Sequence, residues 1–218
     1  MIPRFLPILA LLPLLHSVTT GQTGQIPCLP PTAQGVICLQ GTITGVLQNG
    51  TVYHVFPGSG VPAGMGLQIQ GGAIVKFTGG VNGFLAVEGT LTVGLTAILT
   101  SIHDDTAGGD SNGNGGQTVP APGDWGGLVF GAGSDASSLI DARIRYAATG
   151  IRLNQADISI TLTSVRSCSG SGLDLTNSSY PVVSGCAFNN NNAAVPACPL
   201  GRCPTSRTTR PRATRSST

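Results

Sequence analysis

The residues whose types and spacing could do chemistry gather in one stretch, SIHDDTAGGDSNGNGGQTVPAPGDWGGLVFG, residues 101–131. Asp110, Asn112 and Asn114 alternate and Gly115 follows, which is the first half of a calcium loop, D-x-[DN]-x-[DN]-G. Oxygen ligands at every second residue wrap one side of a cation, and the glycine permits the sharp turn. The bidentate Glu of an EF-hand would fall on Ala121, so Asp104, Asp105 or Asp124 must close the coordination sphere instead. Two Asn among three ligands keep the charge low and point to calcium of modest affinity. Asp, Asn and Gly are also the common turn residues, so the composition of the stretch follows from turns alone. The Asp110–Gly115 spacing does not, and it carries the expectation of a metal-stapled loop.

Other chemistry is sparse. Asp104 and Asp105 beside His103 are the only paired carboxylates suited to acid–base work on a polysaccharide. Trp125, the only tryptophan, opens an apolar run beyond the loop; it serves either for packing or, if exposed, as a binding platform for a sugar ring. His54 lies inside a strand-like run. Phosphate loops and nucleophile elbows are absent, and no two cysteines have the close spacing of a zinc site. No catalytic residue is assigned.

The elements that must position this loop are strands. Charged residues make up only 9% of the 218 residues, and 32 are Gly, a composition poor in helix formers. Short runs such as Leu67-Gln68-Ile69, Ile74-Val75-Lys76-Phe77 and Leu91-Thr92-Val93 are rich in β-branched residues and bounded by Gly or Pro, and no window has helical periodicity. Self-similarity decides the architecture. Gly150-Ile151-Arg152-Leu153 matches Gly172-Leu173-Asp174-Leu175, and Leu162-Thr163-Ser164-Val165 matches Val183-Ser184-Gly185-Cys186. A period of about 21–22 without a helix is that of a β-solenoid; the leucine-rich-repeat frame is missing. The fold class expected is all-β, a parallel β-helix, with Ile151, Leu153, Ile158, Ile160, Leu173, Leu175 and Val182 pointing inward. Arg152 then lies over Asp174, and the Asn189–Asn192 run falls at a corner where amides bond backbone.

Val61-Pro62-Ala63-Gly64, Gly72-Ala73-Ile74-Val75-Lys76-Phe77 and Pro122-Gly123-Asp124-Trp125-Gly126-Gly127-Leu128-Val129-Phe130 resemble segments of right-handed parallel β-helix proteins of the pectin-lyase-like class. The resemblance spans about residues 41–194. It implies the right-handed fold and leaves function open, because such helices host lyases, hydrolases, esterases and non-catalytic surface proteins. A calcium-dependent lyase of this kind needs a basic proton acceptor; Arg143, Arg145 and Arg166 are available, but nothing in the sequence places them near the loop. The Asn-x-Asp, Gly-His-Gly and Arg-x-Lys set of the related hydrolases is absent.

Residues 1–20 read as a secretory signal peptide, a basic n-region at Arg4 followed by an apolar run too short to span a bilayer. Residues 21–40 are an irregular lead-in, 41–198 the β-helix with a loop insertion over 103–124, and 199–218 a basic, Pro/Ser/Thr-rich tail expected to be disordered. Export makes disulfides plausible: Cys28 with Cys38, and Cys198 with Cys203, while Cys168 and Cys186 suit buried thiols as well as a bridge. Five bases face nine acids between residues 21 and 198, a balance of 5 − 9 = −4 that excludes a nucleic-acid face on the body. The expectation is a secreted or cell-surface monomer with no membrane span after cleavage. It would be a non-catalytic scaffold binding a polysaccharide or cell-surface glycan, with a polysaccharide lyase or hydrolase as the alternative.

Overall fold

In a computed structural model that describes residues 22–193, the chain is a parallel β-solenoid of about six turns, with no helix among those residues. The expected leader, Cys198, Cys203 and the 199–218 tail lie outside the described residues. Each turn visits three sheets in the same order. Sheet A holds Gln25–Ile26, Ile37–Leu39, Val52–Val55, Ile74–Phe77, Ile98–Ser101, Arg143–Arg145, Ser164–Arg166 and Ala187–Asn189. Sheet B holds Ser59–Val61, Gly80–Val87, Trp125–Phe130, Ile151–Asn154 and Leu173–Thr176. Sheet C holds Gly45–Leu47, Gly66–Ile69, Thr90–Val93, Ser138–Ile140, Ser159–Thr161 and Val182–Ser184. Every pairing is parallel except the first, where Gln25–Ile26 runs antiparallel to Ile37–Leu39 and closes that end, stapled by the Cys28–Cys38 disulfide.

Alternation builds the core. Strand residues point in and out by turns, so one inward position repeats on every coil as a stack of apolar side chains. Tyr53, Val75, Leu99, Ile144, Val165 and Phe188 form such a stack along sheet A. Leu85, Leu128, Ile151 and Leu173 form one along sheet B, and Leu47, Ile69, Val93, Leu139, Ile160 and Val183 one along sheet C. Nearly all of these are fully buried.

The repeat is less regular than the sequence suggests. Hydrogen bonds between successive coils span 21, 22, 23 or 24 residues. The match of Gly150–Leu153 with Gly172–Leu175 is in register, whereas Val165 faces Phe188, not Cys186. Val182, expected inside, is 56% exposed, and Val183 takes the inward place. With period 2, a one-residue error reverses a side chain. The extra residue lies between Thr176 and Val182, where the offset from the preceding coil grows from 22 to 23 and Asn177 and Ser178 are both left-handed.

Corners are the regular feature. Two residues ahead of six sheet A strands the chain enters the left-handed region, at Gly50, Gly72, Thr96, Asp141, Leu162 and Gly185. A second set, Tyr146, Ser167 and Asn190, directly follows the last three sheet A strands. Asn side chains stabilise corners as expected. Asn191 accepts from the Cys168 N–H and donates to the Val165 carbonyl, and the Asn177 amide donates to Asn154 Oδ1 at 2.6 Å. The Arg152–Asp174 pair forms as expected, with Nε 3.1 Å from Oδ2. Exposed as it is, it contributes well under about 1 kcal/mol.

Candidate functional site

Residues 102–124, between the sheet A strand Ile98–Ser101 and the sheet B strand Trp125–Phe130, contain no strand and fold back over the outer face of sheet A. That face is polar because its outward positions are His54, Lys76, Thr100, Arg145 and Arg166, one from each of five successive coils. The loop buries the first three completely. His54 Nε2 lies 2.8 Å from Ser111 Oγ, and Lys76 Nζ donates to the Gly109 carbonyl at 2.8 Å. Ser111 also bonds the lead-in, its carbonyl accepting the Ala33 N–H. At Gly108 the loop approaches so closely that an added Cβ would lie 2.8 Å from Val52 Cγ2.

Asp104 is the centre of this network and has no solvent exposure. Its Oδ2 accepts from Thr100 Oγ1 at 2.6 Å, and its Oδ1 accepts from the Thr106 hydroxyl and N–H. Arg145 Nε stands 3.2 Å from Oδ2 as a charge contact without hydrogen-bond alignment. Asp105 keeps one buried oxygen, Oδ1, without a hydrogen-bond partner. Burial pushes the Lys76 ammonium below its ordinary pKa, and the charges of Asp105, Asp104 and Asp110 oppose that shift. Three of the six proposed calcium ligands therefore surround a lysine.

The oxygens of Asp110 and of the remaining three, Asn112, Asn114 and Asp124, make hydrogen bonds of their own. Asp110 Oδ1 and Oδ2 accept the N–H groups of Asn114 and Gly115. Asn112 Oδ1 accepts from the Asn114 N–H, and Asn114 Oδ1 accepts from Gly116 and Gln117. These are side-chain-closed turns, and they account for the Asp110–Gly115 spacing that the sequence alone left to a cation. Asp124 sits apart at the root of the loop, its Oδ2 accepting from Ser101 Oγ and the Ala121 N–H. Among the described residues no three His, Cys, Asp or Glu side chains are grouped to hold a metal ion. His103 Nδ1 lies 3.1 Å from Thr118 Oγ1.

Trp125 is no platform for a sugar. The indole is fully buried, stacks on Phe77 with ring centroids 4.1 Å apart, and donates from Nε1 to the Arg145 carbonyl at 2.9 Å. It starts a strand whose outward positions are reversed by the irregular register at Gly127, so the large ring turns into the corner of the core. Cys168 and Cys186 are free thiols, and burial raises the Cys168 pKa to about 11, leaving an inert packing group.

Sequence reasoning missed the groove beside the loop. Arg143, Arg145 and Arg166, with Asp141, Ile144 and Ser164, line a cavity of ≈ 240 Å³ on the uncovered part of sheet A. Its signal was in the repeat itself: Arg145 and Arg166 are 21 positions apart and therefore stack.

His54 gives this network a pH dependence. Burial, and next the Lys76 charge, lower its imidazole to about 4 from an ordinary 6.5. A base with a depressed folded pKa takes up its proton on unfolding between those values, so the stability present above pH 6.5 is lost as the pH falls towards 4. Thermal melts should show that loss, roughly 3 kcal/mol at the acid limit. His54→Gln, neutral throughout, should melt with a flatter profile over this interval; identical profiles would refute the assignment.

No family model, no curated protein and no solved structure matches the chain.

Proposed function

We propose that this chain is an exported, right-handed β-helix of the pectin-lyase-like class that serves as a non-catalytic scaffold for binding a glycan or cell surface. One observation carries the reading. One member of the only candidate catalytic pair, Asp104–Asp105, is consumed in fastening the loop: Asp104 is fully buried and both its oxygens are occupied. General acid–base work on a glycosidic bond needs two carboxyl groups facing the substrate, and the lining of the groove beside the loop contains a single acid, Asp141. The alternative, a polysaccharide lyase or hydrolase, draws its support from that same groove, where Arg145 adjoins Asp104. A depolymerisation screen over acidic and neutral polysaccharides, with calcium added, separates the two. Retention on a polysaccharide without new chain ends supports the scaffold, and new ends would establish the enzyme.

Calcium enters the proposal through the loop. The oxygens of Asp110, Asn112 and Asn114 close turns, and Lys76 and Arg145 supply the positive charge that three carboxylates need. The loop is thus held by the protein's own cations, and any calcium it takes is secondary. Melting the protein in chelator and then in millimolar calcium is the direct check: an unchanged Tm is expected, and a rise of several degrees would make the ion structural.

A further inference from the structure

The two ends of the solenoid are built differently. At the N-terminal end Gln25–Ile26 lies antiparallel on Ile37–Leu39, fastened by the Cys28–Cys38 disulfide, and Thr23 of the same segment bonds Thr42 and Thr44 across the first coil. At the other end the last strands of the three sheets are Leu173–Thr176, Val182–Ser184 and Ala187–Asn189. Each pairs with the preceding coil and with no strand beyond it among the described residues. The Val182 and Ala187 N–H groups donate back to Ile158 and Thr163, and the Thr176 carbonyl accepts from Gln155. Alternate residues of a parallel strand bond to the same side, so Leu175, Val183 and Phe188 turn their N–H and C=O groups away from the body. Their side chains are the last of the core stacks. Leu175 and Phe188 are only partly buried, whereas Leu153 and Val165 one coil earlier are fully buried.

Such an edge is a template for another strand, and the end of a solenoid needs cover. Three features select what covers this one. Between residues 167 and 193 the only charged side chain is Asp174, and Arg152 already pairs with it, so the end carries nothing that repels a copy of itself. Residues 194–218 include Pro196, Pro199, Pro204, Pro211 and five arginines, and proline cannot donate to a ladder. That sequence is poor material for three further strands. Last, three strand edges set around one coil are matched in spacing by another solenoid end, and the N-terminal end is already covered. A second copy then approaches C-terminal end to C-terminal end. Under a twofold axis one edge meets its own copy antiparallel, the other two edges meet each other, and the assembly closes at two chains. Head-to-tail stacking into fibres is blocked by Gln25–Ile26.

We propose that the chain forms a closed, tail-to-tail dimer through the strand edges Leu173–Thr176, Val182–Ser184 and Ala187–Asn189, in place of the monomer expected from the sequence. The test is sedimentation of the full chain over a wide concentration range, with small-angle scattering of the associated species. A reversible monomer–dimer equilibrium with no larger species is expected. The dimer should be elongated, its solenoid axis growing from roughly 30 Å for about six turns to roughly 60 Å. Tyr180 and Val182 belong to the last coil and are 54% and 56% exposed, so Tyr180→Lys and Val182→Lys leave the core intact while setting like charges against their copies. Each should weaken the dimer about tenfold. Val81→Lys, equally exposed but three coils away in sheet B, should leave it unchanged. A monomer at every concentration would overturn the proposal and leave residues 194–218 as the cover. A dimer that survives the double variant Y180K/V182K, or one that is compact and side by side, would overturn the interface. Species larger than the dimer would overturn its closure.

Discussion

Asp104→Asn should destabilise the protein by about 3 kcal/mol, because removing one partner of a buried charge pair leaves the other uncompensated. The carboxylate has no exposure and the Arg145 side chain only 11%, so the guanidinium cannot simply turn into water. Lys76 nearby adds to the uncompensated positive charge. An asparagine retains an oxygen for the Thr106 donors but replaces the acceptor of the Thr100 hydroxyl by an amide. Urea unfolding measures the loss. The cycle with Arg145→Met should be strongly non-additive, since the double variant removes the stranded charge. Hydrogen exchange adds the local readout: amides bonded within the loop, such as Ala107 and Ser111, should lose protection before those of sheet C. Additive losses would show that the ion pair does not fasten the loop.

Trp125→Ala should be the most damaging core change, at about 3–5 kcal/mol. The ring is the largest fully buried side chain, and its removal opens a cavity beside Phe77 and deprives the Arg145 carbonyl of its donor. The same strand then approaches Thr149, where Gly127 leaves no room for a side chain; an added Cβ would lie 1.7 Å from the Thr149 carbonyl oxygen. That close approach prevents the corner from collapsing into the void. Trp125→Phe should recover much of the loss by keeping the stack and sacrificing the hydrogen bond. Because this is the only tryptophan, far-UV circular dichroism must follow the variants. A loss under about 1 kcal/mol for Trp125→Ala would mean that the corner is loosely packed.

The sheets were readable from the sequence because inward apolar residues alternate with outward ones from Gly45 to Val165, with Gly marking the early corners such as Gly50 and Gly72. Arg152 over Asp174 followed from the offset alone. Reading failed at Val182 and Cys186, where a corner of different length shifted the register, and apolar content cannot reveal that. At Trp125 the sequence left packing and display both open, since nothing local tells whether the first residue of a strand faces the core or water. The site was half legible. The acidic loop and its boundaries stood out, but its counter-ions Lys76 and Arg145 come from other coils, and only the stacking of repeats brings them beneath it. Likewise, Asp110 to Gly115 has the same spacing whether its oxygens close on amides or on a cation.

The left-handed residues ahead of the sheet A strands have one more consequence. They act as index marks: each coil is counted from mark to mark, so the number of residues between marks is free to vary. Residues 102–124 exploit that freedom, since sheet A resumes beyond them with Ile98 beside Arg143 and Leu99 beside Ile144. A cassette of another length and chemistry could be spliced at the same corner without resetting the coils above it. The architecture is thereby suited to changing what it displays while keeping what it is.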